Sequence, residues 1–153
     1  MRRLALATLL AASSAHAAEG AGCSGAVAGA ASGEFTCSVT VRVDGAKALL
    51  EIAPEGKVAG LAALSPASFE LPSPLRPGTW TLATLGPGRA RAVTDGGQAF
   101  AAQGTRGEVT LVIEQAERYP QARGFYVVSG TLTARLVPER AGGAGELTLD
   151  VRF

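Results

Sequence analysis

Ten residues constrain this chain more than any other feature. From Glu34 to Val43 the odd positions are Phe35, Cys37, Val39, Val41 and Val43; the even positions are Glu34, Thr36, Ser38, Thr40 and Arg42. Successive side chains of a β-strand point to opposite faces, so the pattern describes a strand with one buried and one wetted face. The same period returns three times. Leu147, Leu149, Val151 and Phe153 alternate with Glu146, Thr148, Asp150 and Arg152, and Val109, Leu111 and Ile113 alternate within "GEVTLVIEQ". Across "FYVVSGTLTARLV", Tyr126, Val128, Leu132, Ala134 and Leu136 share one face, with Thr131, Thr133 and Arg135 opposite.

Weaker strand patterns occupy "GAVAG", "KALLEIA", "GTWTLATL", "RARAVT" and "QAFAAQ". Turn-forming pairs separate them: Asp44-Gly45, Glu55-Gly56, Gly86-Pro87-Gly88, Asp95-Gly96-Gly97 and Gly142-Gly143. Asp44-Gly45 lies between two strand patterns and reads as a tight hairpin turn. "LSPASFELPSPLRPG" has four prolines in fifteen residues and reads as a long extended connection or an irregular edge. "VAGLAALS" is compatible with one short helical turn, and no segment carries a helical stripe. The expectation is an all-β domain: an antiparallel β-sandwich (jelly-roll or immunoglobulin-like), or a small barrel, of about eight or nine short strands.

The first residues read as an address rather than as fold. Arg2 and Arg3 precede an apolar run, Leu4 to Ala12, and Ala15-His16-Ala17 fits the small-x-small cleavage pattern of a secretory signal peptide. A run of nine residues is too short for a membrane-spanning helix, which needs about 20. The reading is a signal peptide over residues 1–17, cleavage between Ala17 and Ala18, and a single all-β domain over 18–153. Cleavage removes Arg2 and Arg3 from the 14 basic residues, so 12 remain against 13 acidic ones and the net charge becomes −1. That balance offers nucleic acid or an anionic membrane no basic footprint. It also removes His16, the single histidine.

Cys23 and Cys37 are the two cysteines. Export places them in an oxidising compartment, where paired thiols normally become a disulfide. Cys37 lies in phase with Phe35 and Val39, and Cys23 with Val27. A hairpin closing through an odd-numbered loop centred on Ala30 makes the two cysteines direct cross-strand neighbours. A redox site calls for C-x-x-C. A zinc site calls for about four ligands, and a lipid anchor needs an apolar Leu-x-Gly/Ala run just before Cys23, where Gly20-Ala21-Gly22 stands.

Enzyme chemistry finds little support. Without histidine there is no Ser-His-Asp or Cys-His arrangement, which leaves carboxylate pairs of the kind used in glycoside hydrolysis. Glu114, Glu117 and Asp150 are the candidates, and the competing reading is a solvated sheet face with cross-strand pairs to Arg42, Arg135 or Arg152. Asp95-Gly96-Gly97 lacks the acidic spacing of a calcium loop, and Gly86-Pro87-Gly88 lacks the Lys-Ser/Thr of a phosphate loop. No cofactor is expected. Gly78-Thr79-Trp80 resembles the G-x-W of lipocalins, but in mid-chain, so Trp80 reads as a core residue in phase with Leu82.

"GELTLDVRF" resembles the terminal strand of outer-membrane β-barrel proteins, although the chain has only eight aromatic residues for the interfacial girdles such barrels carry. As a whole, "CSGAVAGAASGEFTC", "LSPASFELPSPLRPGTWTLATLGPGRA" and "SGTLTARLVPERAGGAGELTLDVRF" resemble a group of small exported bacterial proteins. These share an N-terminal cysteine pair and a final G-T-L…G-x-L/V-T…F hairpin. The resemblance implies an exported all-β domain and carries over no site residues. The functional expectation is a non-catalytic exported binding or surface-interaction module, periplasmic, secreted or at the cell surface, for an unidentified ligand or an envelope or extracellular partner. Its recognition loops are expected at Leu64 to Gly78 and around Gly86 and Asp95. The alternatives are a small eight-stranded outer-membrane barrel and a histidine-free glycan-active enzyme.

Overall fold

The computed structural model describes residues 22–121 and 123–153. The expected signal peptide and its cleavage position at Ala17 and Ala18 lie outside the described residues. Eleven strands form a single sheet: β1 (Cys23–Gly29), β2 (Gly33–Asp44), β3 (Lys47–Glu55), β4 (Leu61–Leu64), β5 (Ala67–Pro72), β6 (Gly78–Thr81), β7 (Gly88–Thr94), β8 (Ala99–Gln103), β9 (Glu108–Arg118), β10 (Tyr126–Pro138) and β11 (Leu147–Arg152).

The sheet closes on itself. Its order runs β11-β1-β2-β3-β5-β7-β8-β10, and β10 pairs back onto β11 to complete an eight-stranded antiparallel barrel. Three strands lie off the ring: β4 on β7, β9 on β10 and β6 on β9. The sandwich expectation therefore gives way to the barrel. What decides between them is β11, which pairs with β1 through Ser24↔Arg152 to Gly29↔Leu147 and with β10 through Thr131↔Arg152 to Leu136↔Leu147. A strand held on both edges leaves no gap at which two facing sheets could separate.

The period-2 pattern sorts inside from outside. In β2, Phe35, Cys37 and Val41 are buried, Val39 and Val43 are partly buried, and the five intervening polar side chains are exposed. A barrel of eight strands is just wide enough for its interior to be filled by side chains. Here Phe69, Phe100, Leu50, Leu132 and Leu136 fill it, and Ala48, Ala90, Ala92, Ala102 and Ala134, all fully buried, make room for the larger groups. β1 makes room too: a Cβ on Gly25 would lie 2.3 Å from Cζ of Phe35, its direct cross-strand partner.

The first hairpin has the geometry read from the sequence. Its register runs from Cys23↔Cys37 to Val27↔Gly33, and the cysteines form a disulfide with Cα atoms 4.9 Å apart. The β2–β3 turn at Gly45 also closes as read, with Asp44 opposite Lys47. Other readings change. "VAGLAALS" makes strand β4 instead of a helical turn. The proline-rich stretch contains β5, a full stave of the barrel, and buries Ala67, Phe69, Leu71 and Leu75. Trp80 lies on the short accessory strand β6 opposite Leu111, partly buried, so the G-x-W is not part of the barrel ring.

The seam between β8 and β10 is short, with two residue pairs, Val137↔Ala101 and Pro138↔Phe100. It is reinforced by side chains. Arg91 donates to both carboxylate oxygens of Glu139, at 2.6 and 3.2 Å, and Arg106 donates to the carbonyl oxygens of Pro138 and Glu139. The Arg91 hydrogen bond holds the Glu139 carboxyl below the usual carboxylate range. On the outer wall Arg135 pairs with Glu108 and Glu146, at 3.0 and 3.2 Å.

Candidate functional site

Two of the three segments expected to carry recognition, Leu64 to Gly78 and the Gly86 turn, bury apolar side chains or pack on β5, whereas Asp95, Gly96 and Gly97 are exposed. Leu75 and Leu85 are buried, and Glu70 donates its N–H to Pro87 and accepts from Gly86, tying the Gly86 turn to β5. Asp95 sits in the β7–β8 turn, where Thr94 and Gln98 hydrogen-bond to each other through backbone and side chain.

The candidate carboxylates do not converge. Glu114 is the extra residue of a β-bulge in β9, and Glu117 is exposed on the overhang beyond it. Asp150 is on β11, on the far side of β10. Strand spacings of about 4.8 Å and a rise of about 3.4 Å per residue put Asp150 and Glu114 roughly 15 Å apart at Cα. One pair that sequence reasoning did not single out comes closer. Glu34 and Asp150 flank Ala26 on one register row, about 10 Å apart at Cα by the same spacing. They border an open trough of about 920 Å³ along β1, floored by Ser24 and Ala26. Both acids are exposed on the outer wall. A general acid needs an environment that withdraws it from water, and nothing there does so.

A different arrangement stands at one mouth of the barrel. At this end β1 begins with Cys23 and β11 stops, Phe153 exchanging two backbone hydrogen bonds with Gly130. β2 and β10 run on past them. The β9–β10 hairpin bends over and meets the end of β2 directly: Arg42 bridges Phe125, and the Val43 N–H donates to the Gly124 carbonyl at 2.7 Å. A further bond, from the Tyr119 N–H to the Phe125 carbonyl at 2.9 Å, closes the hairpin tip.

The bulge decides which side chains enter this mouth. Up to Ile113, β9 turns its odd residues inward: Val109, Leu111 and Ile113 are buried. The register then slips by one at Ser129/Gly130, because Glu114 has no partner of its own. A β-bulge re-aims everything beyond it. Ala116 now lies opposite Val128 and Arg118 opposite Tyr126, on the inner face, while Gln115 and Glu117 turn outward. Without the slip Glu117 would face the mouth. The Arg118 guanidinium reaches the Tyr126 hydroxyl at 3.4 Å.

The result is a notch of about 490 Å³ lined by Val43, Arg118, Tyr119, Arg123, Phe125 and Tyr126, continuous through the same three aromatics with a second of about 400 Å³ against Val39 and Val41. Tyr119 and Phe125 are 44% and 41% exposed. In a chain with eight aromatic residues, three stand together here, whereas Phe35, Phe69, Phe100 and Phe153 are buried in the core. Neither Arg118 nor Arg123 has a carboxylate within 4 Å among the described residues. The signal for this cluster in the sequence is the density of aromatic and basic residues in "ERYPQARGFY", between two strongly alternating flanks.

No protein-family model, curated protein or solved structure matches the chain. The disulfide is consistent with an oxidising, exported location.

Proposed function

We propose that this protein is an exported, non-catalytic binding module, in the periplasm, the medium or at the cell surface, and that it engages its partner through the barrel mouth. The observation that carries the reading is the notch, where exposed Tyr119 and Phe125 stand beside two arginines without carboxylate partners among the described residues. Barrel mouths are a preferred place for ligand sites, and tyrosine and arginine are the side chains that most often dominate binding energy. Surface aromatics that merely filled space would be expected inside, where this chain has few to spend.

The direction of the faces supports a water-exposed barrel over a membrane-inserted one. A transmembrane barrel turns apolar side chains to lipid and polar ones to its lumen. This barrel does the reverse: Glu34, Thr36, Ser38, Thr40 and Arg42 point outward and the lumen is filled with aliphatic and aromatic groups. The glycan-active alternative has the exposed Glu34 and Asp150 but no enclosure around them.

The test has two arms. Expression with residues 1–17 intact, followed by N-terminal sequencing of the fractionated product, should find a chain starting at Ala18 outside the cytoplasm. The immobilised exported protein should then retain a component of the envelope or the medium that a Y119S/F125S variant with unchanged circular dichroism does not. Equal retention by the two proteins overturns the mouth as the recognition surface.

A further inference from the structure

The one-residue bulge at Glu114 fixes the sign of charge inside the mouth, and from this a ligand class follows. Resting on the reading of the mouth as the recognition surface, we infer that the notch takes a ligand carrying a carboxylate on a six-membered ring, one face of the ring lying against Tyr119 and Phe125 and the carboxylate meeting Arg118 and Arg123.

Three observations converge. First, Arg118 occupies an inward position on a strand whose preceding inward residues, Val109, Leu111 and Ile113, are apolar. Its exposed guanidinium stands at the rim on that face, its Nε donating to the Tyr126 hydroxyl at 3.4 Å. Turning it inward requires the register slip, which also carries Glu117, the nearest acid in sequence, to the opposite face. Second, Arg118 and Arg123 line one cavity, and guanidinium groups match carboxylates through paired, charge-assisted hydrogen bonds. Third, the same cavity has an aromatic wall and a volume within the range of small-ligand sites. The wall supplies contact area and the arginines select the charge.

Two sources present this chemistry: a uronic-acid sugar, whose pyranose ring can stack on an aromatic side chain, and an aromatic carboxylic acid. The experiment separates them. The exported protein, disulfide intact, is titrated calorimetrically with a galacturonate trimer and with 4-hydroxybenzoate. The matched neutral probes are a galactose trimer and 4-hydroxybenzamide. One acid should bind at least tenfold more tightly than its neutral counterpart, and the acid that does so names the source. R118Q and R123Q should each weaken that binding by about tenfold or more, since a hydrogen bond to a charged group is worth that factor. R118E should abolish it. All three substitutions are at exposed residues, and melting curves should coincide with wild type.

Equal binding of acid and neutral probe, or acid binding indifferent to R118Q, overturns the inference. If neither acid binds while partner retention still depends on Tyr119 and Phe125, the ligand class is wrong and the recognition surface stands. If retention is also independent of the two aromatics, both fall.

Discussion

Breaking the Cys23–Cys37 bridge should lower stability by about 3 kcal/mol. The bridge spans a sequence separation of 14, closing a loop of 15 residues. In the chain-entropy model such a cross-link removes about 10 cal/mol/K from the unfolded chain, hence about 3 kcal/mol at 25 °C. The folded side changes little on reduction. β1 keeps its pairings with β2 and β11, and the thiols stay at the edge of the core. For a domain of this size, about 3 kcal/mol moves the midpoint of thermal unfolding by roughly 10 °C. The assay is thermal and urea unfolding of the purified, disulfide-bonded protein with and without dithiothreitol, with C23A/C37A as a second version of the same perturbation. Two further signs follow if the bridge acts on the unfolded chain. The denaturant slope should rise on reduction, because an uncross-linked chain exposes more surface. The refolding rate should also fall, because loop closure is no longer prepaid. A midpoint shift under about 3 °C, or an equal stability loss appearing wholly as faster unfolding with unchanged slope, would refute the reasoning and make the bridge an ordinary native contact.

Other expectations concern the interior, the seam and the mouth. Ala92→Leu, at a fully buried position on β7, should cost about 1–3 kcal/mol by overpacking, read from urea midpoints. Gly25→Val should destabilise more than any substitution on the outer face of β1, and combination with F35A should recover part of the loss, a coupling measured by a double-mutant cycle. The hydrogen bond from Arg91 depresses the Glu139 pKa, so its contribution is fully present above the ordinary value of 4.5 and is lost as pH falls through the folded value. E139Q should therefore be less stable than wild type at pH 7, and the difference should shrink in acid, measured by melting between pH 7 and pH 3. Y119S/F125S should change stability by less than about 2 kcal/mol, since about two fifths of each residue is already in water.

The sequence made local structure legible and closure illegible. The Cys23–Cys37 register was readable because an odd loop centred on Ala30 sets phase and pairing together. The inner and outer faces of β2, β10 and β11 were readable because one side of each strand is wet. Whether the sheet closes depends on β11 choosing two partners, and no local pattern in Leu147–Arg152 says how many edges will be used. β5 was obscured by its prolines: Pro66 and Pro72 sit at its margins, where they do not interrupt the ladder with β3. The site was hidden for a sharper reason. Which of Glu117 and Arg118 faces the mouth depends on the slip at Glu114. The slip shows only as a break in phase, where Ile113 is followed by Ala116 instead of an apolar residue at position 115.

The pairing of β1 with β11 also sets an order of events. Synthesis delivers the chain from its N-terminal side, so the hairpin of β1 and β2 is available for oxidation once Cys37 has emerged. The other edge of β1 has to wait more than a hundred residues for Leu147–Arg152, and such long-range closure is the slow kind. During that interval the first hairpin exists with one open edge. A staple that forms early and holds β1 on β2 would keep that exposed strand from pairing elsewhere, a task finished before the barrel exists.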